Sequence, residues 1–301
     1  MVTGKGGTGK TTYAAALAIL GAAKGKRTLL CEIDNQRPSL TAIFGVVPEY
    51  VGREVRPGLA IANLHFAEAI GTFVEQMVPV RRVVKLVLEN AVVQKFMDFA
   101  PGARELVTLA ALVARIEQYD LVVVDMPASG HAFSLLDILR SALGLFRSGP
   151  VRKLAHDLRT SLLDDRTRMV FVALPEEMVV NETLETVERM RKSEILGGEP
   201  VVILNKATLP SLTDDERALI AKLGEQELTP LQEEFVRAGR WEDQLEQATA
   251  EARDRLTTVF QEPPLLVPPA GAGGVVRLVV AAAAVHLGRQ VGVTRRDLSW
   301  I

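Results

Sequence analysis

The chain has 301 residues, 48% of them hydrophobic and 24% charged, with a formal net charge of −2. This balance fits a globular protein rather than a disordered one, and a nearly neutral total supplies no global basic field for binding nucleic acid. Cys31 is the only cysteine, which excludes an intrachain disulfide framework or a CxxC zinc site, suits a reducing cytosol, and places this residue in an apolar run expected to be core.

In chain order, the first informative stretch is Gly4-Lys5-Gly6-Gly7-Thr8-Gly9-Lys10-Thr11-Thr12. It satisfies the phosphate-loop pattern G-x-x-x-x-G-K-[ST] from Gly4 to Thr11 and opens an apolar helix expected to run to about Lys24. Gly6, Gly7 and Gly9 allow the backbone, Thr8 included, to turn its N–H groups inward toward phosphate oxygens. Lys10 is expected between the β- and γ-phosphates of ATP, and Thr11 offers its hydroxyl to Mg²⁺. The first turn of the helix, with Thr12, aims its positive end at the anion. Only Met1, Val2 and Thr3 precede the loop, fewer than the roughly five residues of an ordinary strand. The expectation is a clipped first strand or a start that lies upstream.

Lys5 sharpens this pattern. The form Gly-Lys-Gly-Gly-x-Gly-Lys-Thr resembles the deviant phosphate loop of the MinD/ParA, nitrogenase-iron-protein and ArsA/Get ATPases. That resemblance implies a dimer in which Lys5 crosses the interface to the partner's nucleotide, and it makes Lys5 and Lys10 catalytic candidates.

Arg27–Ile33 reads as a buried strand of a parallel sheet, ending in Glu32-Ile33-Asp34. Strand alternation puts Glu32 and Asp34 on one face at the sheet's ligand-binding end. The pair is similar to the Asp-x-Asp of the superfamily's first switch, and the resemblance implies that Asp34 orients or polarises the attacking water. The alternative for Asp34 is a cap for a helix near Pro38–Phe44. Leu59–Phe66 is a further short apolar run. Residues 71–100 carry apolar positions at near-helical spacing, read as a helical insertion that either packs on the sheet or receives a hydrophobic client or partner. Arg81, Arg82 and Lys85 read as its solvated face.

After Pro101-Gly102, Arg104–Gln118 reads as an amphipathic helix and Tyr119–Val124 as a second buried strand. It ends in Asp125, a Walker B arrangement in which the carboxylate holds Mg²⁺ directly or through water. Asp125-Met126-Pro127-Ala128-Ser129-Gly130-His131 is similar to the second switch of the ArsA/Get family, with the proline one place early. Gly130 lets the segment follow the γ-phosphate. Pro101-Gly102-x-x-Glu105 and the spacing from Pro175 to Glu182-Thr183 also resemble family segments, although the charges around Glu182 read equally as a solvated helix face.

Helices are expected over 132–146, 150–163, from Pro175 to about Glu194, over 213–223, and over 229–260 with an interruption near Arg237–Arg240. Strands are expected over 168–174, 200–204 and 265–267. The resemblance implies that Asn205 pairs its amide with the adenine edge, and that Pro268 belongs to an adenine-side loop. Asn205-Lys206 lacks the following x-Asp that reads guanine. A closing helix over 274–287 and a loose tail over 292–301 complete the reading.

No segment reaches about 18 consecutive apolar residues, and no secretory signal is recognisable, so a cytoplasmic protein without a transmembrane span is expected. The expected fold is one α/β P-loop domain over 1–301, with a mainly parallel sheet covered by helices on both faces. The expected function is Mg²⁺-dependent ATP hydrolysis at a dimer interface. The dimer forms with itself or with a paralogous ATPase, and hydrolysis is coupled to a client that includes the possibility of a membrane protein. The alternative is a nucleotide-binding regulatory scaffold that does not hydrolyse.

Overall fold

Alternation along the central strands dictates the layers. The computed structural model describes residues 1–77, 102–270 and 276–290. Strands β1 (Val2–Thr3), β2 (Thr28–Ile33), β4 (Leu59–Leu64), β5 (Leu121–Asp125), β6 (Val170–Ala173), β7 (Val201–Asn205) and β8 (Leu265–Val267) form a parallel sheet. Its order is β3-β4-β2-β5-β1-β6-β7-β8, with β3 (Arg53–Arg56) antiparallel at the β4 edge. Leu30, Ile61, Val123, Val172 and Ile203 face one way, and Leu29, Cys31, Val124, Phe171, Val202 and Leu204 face the other. Both sets are buried, as period-two strands between two helical layers must be.

Helix α1 (Lys10–Ala23) is an alanine-rich helix that lies close against the first face. Helix α2 (Leu40–Phe44) and the closing helix, α10 (Val276–Gln290), pack beside it. The second face is covered by α4 (Ala103–Ile116), α5 (Ser129–Leu145), α6 (Pro150–Leu162), α7 (Glu177–Lys192) and the end of α9 (Pro230–Phe260). Helix α3 (Phe66–Met77) packs on α4, and α8 (Asp214–Leu223) packs on α9. Cys31 is fully buried, as expected of a core thiol.

Two features differ from the sequence reading. Strand β3 carries the charged run Arg-Glu-Val-Arg, which has no apolar alternation to announce it, and charge of this kind suits an exposed edge. Helix α9 runs unbroken through Arg237–Arg240, because Gly239 packs against Ile220 of α8 instead of ending the helix. The expected insertion over 71–100 begins within α3, while its remainder from 78, the Arg81–Lys85 cluster and the tail over 292–301 lie outside the described residues. Among the described residues, no helix is long and apolar enough to cross a membrane.

This topology places the site. The chain leaves β1 toward β5, β2 and β4 on one side, then continues to β6, β7 and β8 on the other. The strand order therefore reverses at β1, and the crevice beyond its carboxyl end is where an open α/β sheet receives a ligand. Gly4, Asp34, Asp125, Asn205 and Pro268 each follow or end a strand at that edge.

Candidate functional site

Loop 4–9 joins β1 directly to α1. Gly4 has φ 151°, and a Cβ there would stand 2.2 Å from the Val172 carbonyl oxygen, so the loop can leave β1 against β6 only with glycine. Thr8 is buried, and its hydroxyl donates to the Lys5 carbonyl at 2.9 Å, closing the turn. Beside Gly6 and Gly7 the space that a side chain would enter is open. Helix α1 starts with no side-chain cap. Its first N–H groups, those of Lys10, Thr11 and Thr12, are thus presented at an open glycine cradle, the arrangement that accepts phosphate.

The two metal candidates meet. The Thr11 hydroxyl donates to Asp125 Oδ2 at 2.6 Å, across 114 residues of sequence. Asp125 Oδ1 is buried and has no hydrogen-bond partner among the described residues. Burial pushes the Asp125 carboxyl up to about 6, the Thr11 hydrogen bond opposes that rise, Glu32 adds to it, and Lys10 opposes it. A buried carboxylate oxygen with an unused acceptor, beside a hydroxyl, fits a hard divalent cation such as Mg²⁺. No cluster of three or more His, Cys, Asp or Glu among the described residues could hold a metal. Mg²⁺ commonly relies on one or two protein oxygens plus phosphate and water, which Thr11 and Asp125 match.

The cations are arranged around one carboxylate. Burial lowers the pKa of Lys10, while Asp125 and Glu182 pull it back up. Lys10 Nζ donates to the Lys5 carbonyl at 3.2 Å. Lys5 Nζ lies 3.5 Å from Glu182 Oε2, on α7. Glu182 Oε1 also accepts the hydroxyl of Ser129, whose N–H donates to the Gly4 carbonyl at 3.1 Å. Glu182 thus ties the phosphate loop to the start of α5, the segment read as the second switch. Sequence reasoning left Glu182 divided between a family segment and a solvated face. The spacing from Pro175 was the one signal that could have found it. Gly130 is exposed in the first turn of α5, with open space beside it, and His131 is exposed next to it.

The acids after β2 separate in role. The strand ends at Ile33, and Asp34 takes the left-handed φ of 42°, so strand alternation stops short of it. Its carboxylate accepts the Phe66 N–H at 3.4 Å and lies 3.5 Å from His65 Nδ1 and 3.9 Å from an Arg104 nitrogen. Glu32 is buried and accepts from Asn35 Nδ2 at 2.8 Å, Ser39 N at 2.9 Å and Leu40 N at 3.3 Å. The residue that satisfies the start of α2 is therefore Glu32 rather than Asp34. Glu32→Ala is expected to lower unfolding stability in urea by roughly 2–4 kcal/mol, because it strands buried donors of a charge-assisted network. A loss below about 0.5 kcal/mol, the scale of an ordinary surface change, would show that water replaces the carboxylate.

On the other side of α1, Thr12, Asn205, Pro268, Ala283, His286 and Arg289 are among the residues bounding a cleft of about 430 Å³. It adjoins the phosphate loop and is wide enough to hold a nucleotide base. The structure thus gathers Gly4 to Thr12, Lys5, Lys10, Asp125, Asn205 and Pro268 around one crevice, with Asp34 at its β2 side.

Comparison with known proteins agrees with this geometry. Residues 1–148 match the family model described as anion-transporting ATPase. The chain is 30% identical over 223 residues to the ATPase BagA of Mycobacterium tuberculosis, covering 68% of this chain and 64% of that protein. It is 25% identical over 253 residues to an arsenical pump-driving ATPase of Escherichia coli, covering 75% and 42% respectively. It is also 25% identical over 252 residues to an ATPase ASNA1 homolog of Plasmodium berghei, covering 71% and 64%. The chain therefore spans a little under two thirds of the length of the first of these relatives. With a phosphate loop of the Gly-Lys-Gly-Gly-x-Gly-Lys-Thr form at the switch point of a mainly parallel sheet, the chain belongs to the ArsA/Get-type family of P-loop ATPases.

Proposed function

We propose that the chain is a Mg²⁺-dependent ATPase whose active form is a dimer, made with a second copy or with a paralogous ATPase. The observation that carries this reading is the pairing of Thr11 with Asp125, leaving Asp125 Oδ1 unpartnered beside the open N-terminus of α1. Bound magnesium would neutralise phosphate charge and be held by Thr11 and Asp125. The chain's own groups do the rest. Backbone N–H groups of loop 4–9 and of Lys10 to Thr12 hold the phosphates. Lys10 places its ammonium among them. Pro268 and the α10 wall receive the base. Asp34, once released from Arg104 and His65, is placed to orient the attacking water.

Lys5 supplies the remaining cation, reaching into the partner's site. Its contact with Glu182 is one-third exposed, and an exposed ion pair contributes only about 0–1 kcal/mol, so nucleotide binding can displace it. Loss of the Lys5–Glu182 contact would also loosen the start of α5 at Ser129, which links phosphate state to the shape of the subunit.

The name of the Escherichia coli relative points to arsenicals, but soft metalloids need clustered thiolates, and Cys31 is single and fully buried. Metalloid handling is not part of this proposal. A hydrophobic client, including a membrane protein, is the downstream task that fits the apolar run from residue 71.

Phosphate release measured with and without Mg²⁺, together with light scattering after size exclusion in ADP and in a non-hydrolysable ATP analogue, tests the reading. Mg²⁺-dependent turnover and a dimer that forms with the analogue alone are expected. The engagement of Asp34 by Arg104 and His65 favours one second reading, a scaffold that binds without hydrolysis. Tight ATP binding with no phosphate release would select that reading.

A further inference from the structure

The α10 wall of the cleft beside α1 is mostly apolar, with Val279, Ala282, Ala283 and Val285 along it, and His286 interrupts that surface. His286 is half-buried, and its Nε2 meets the Leu266 carbonyl of β8 at 2.8 Å. A carbonyl can only accept, so Nε2 carries the proton. In the neutral ring Nδ1 is then an acceptor, and it has no hydrogen-bond partner among the described residues. The fold, not the ligand, thus selects the tautomer. Leu266 stands two positions before Pro268, so the same bond ties α10 to the strand whose end carries the base-side loop.

The other polar side chains of the cleft are suited to different work. Lys206 and Arg289 are cations that only donate. The Tyr13 hydroxyl is given to Asn205 Oδ1 at 2.7 Å, which also accepts the Lys206 N–H at 2.9 Å. Asn205 Nδ2 gives one N–H to the Thr8 carbonyl at 2.8 Å and keeps the second for a base. Thr12 lies in the first turn of α1, at the phosphate end. Asn205 therefore stays available to one edge of a purine. The exocyclic amine of adenine has two hydrogens, and the second needs an acceptor. Guanine carries an oxygen in the place of that amine.

We propose that His286 is a specificity-determining residue of this cleft: its Nδ1 accepts a hydrogen from the exocyclic amine of adenine and opposes the oxygen that guanine puts there. The inference rests on the nucleotide-site reading above and deepens it, adding a purine contact to those of Asn205 and Pro268.

The test uses four ligands that cannot turn over, with Mg²⁺ and the full chain at pH 8: ADP, GDP, purine riboside diphosphate, which lacks only the amine, and pyrophosphate, which has no base. Loss of one hydrogen bond corresponds to about three- to tenfold. The wild-type chain is expected to bind ADP more tightly than purine riboside diphosphate by at least that factor, and GDP less tightly still. In His286→Phe the advantage of ADP over purine riboside diphosphate is expected to shrink by about three- to tenfold, with pyrophosphate affinity unchanged. A common loss for all four ligands would overturn the proposal, because His286 would then serve only to hold α10 on β8. Imidazole ¹⁵N spectra of the wild-type chain give a readout that needs no variant to bind. The chain has four histidines, and the signals missing from His286→Phe are those of His286. Nε2 is expected to carry the proton, and Nδ1 to shift with ADP but not with purine riboside diphosphate. A proton on Nδ1 instead, or an Nδ1 that ADP leaves unmoved, would overturn the proposal. Equal wild-type affinity for ADP and purine riboside diphosphate would overturn it while leaving the nucleotide site intact. A wild-type chain that binds none of the four would overturn the nucleotide-site reading and this inference together.

Discussion

Lys5→Ala is expected to lower steady-state ATP turnover by about 10³–10⁵-fold, the range of a cation delivered in trans to a transferring phosphoryl group. Nucleotide affinity of the single subunit is expected to change by no more than about fivefold, because the exposed pair with Glu182 contributes at most about 1 kcal/mol. The reason for this split is where the charge is used. Within one subunit Lys5 lies against Glu182, whereas Lys10 alone stands at the first turn of α1. A cation that arrives only when two subunits close stabilises the transition state and not the initial complex, so its removal falls on kcat. Mixing provides a second readout. Lys10→Ala subunits retain Lys5, and Lys5→Ala subunits retain a nucleotide site, so a mixture should recover turnover that neither variant shows alone. Unchanged turnover in Lys5→Ala, or no recovery on mixing, would place Lys5 in its own subunit's site or in no site at all.

What the residues announced, and what they hid, follows from how far apart the partners stand in the chain. The phosphate loop was legible because its chemistry is local: glycines, a lysine and a threonine within nine positions, followed by an apolar helix. The parallel strands were legible because burial on both faces leaves continuous apolar runs, as in β2, β5 and β7. Asp125 was legible for the same reason, as the acid that ends such a run. Glu182 was obscured because its partners, Lys5 and Ser129, lie 177 and 53 positions away, and its helix neighbours are charged. The divergence of Glu32 from Asp34 could not be read from alternation, since the strand stops one residue before Asp34 and the backbone turns left-handed there. Asn205 was recognisable as a strand-end amide, but its partners on Thr8 and Tyr13 exist only once β7 lies beside α1.

Asp125 carries the second large effect, and it couples stability to function with opposite signs. Its carboxyl is raised from 3.8 to about 6 by burial first, then by Glu32, against the Thr11 hydrogen bond and Lys10. A folded-state value above the unfolded one means that the folded protein holds the proton more tightly. The stability this provides is complete below about pH 4 and is lost as pH rises through about 6. The loss is on the order of 3 kcal/mol for roughly two units. Asp125→Asn, neutral at every pH, is therefore expected to match the wild-type chain near pH 4 and to exceed it by up to about 3 kcal/mol at pH 7.5 in urea unfolding without metal. The same substitution removes the anionic oxygen that Thr11 leaves for Mg²⁺, and is expected to reduce Mg²⁺-dependent turnover by at least about 10²-fold, several kcal/mol of charge stabilisation. In the wild-type chain the Mg²⁺–nucleotide affinity should fall about tenfold per unit as pH drops below about 6, because the proton and the cation compete for one carboxylate. In Asp125→Asn that slope should vanish. A variant that is no more stable at pH 7.5, with the slope retained, would mean that another group holds the cation and that the unpartnered oxygen of Asp125 is satisfied by water alone.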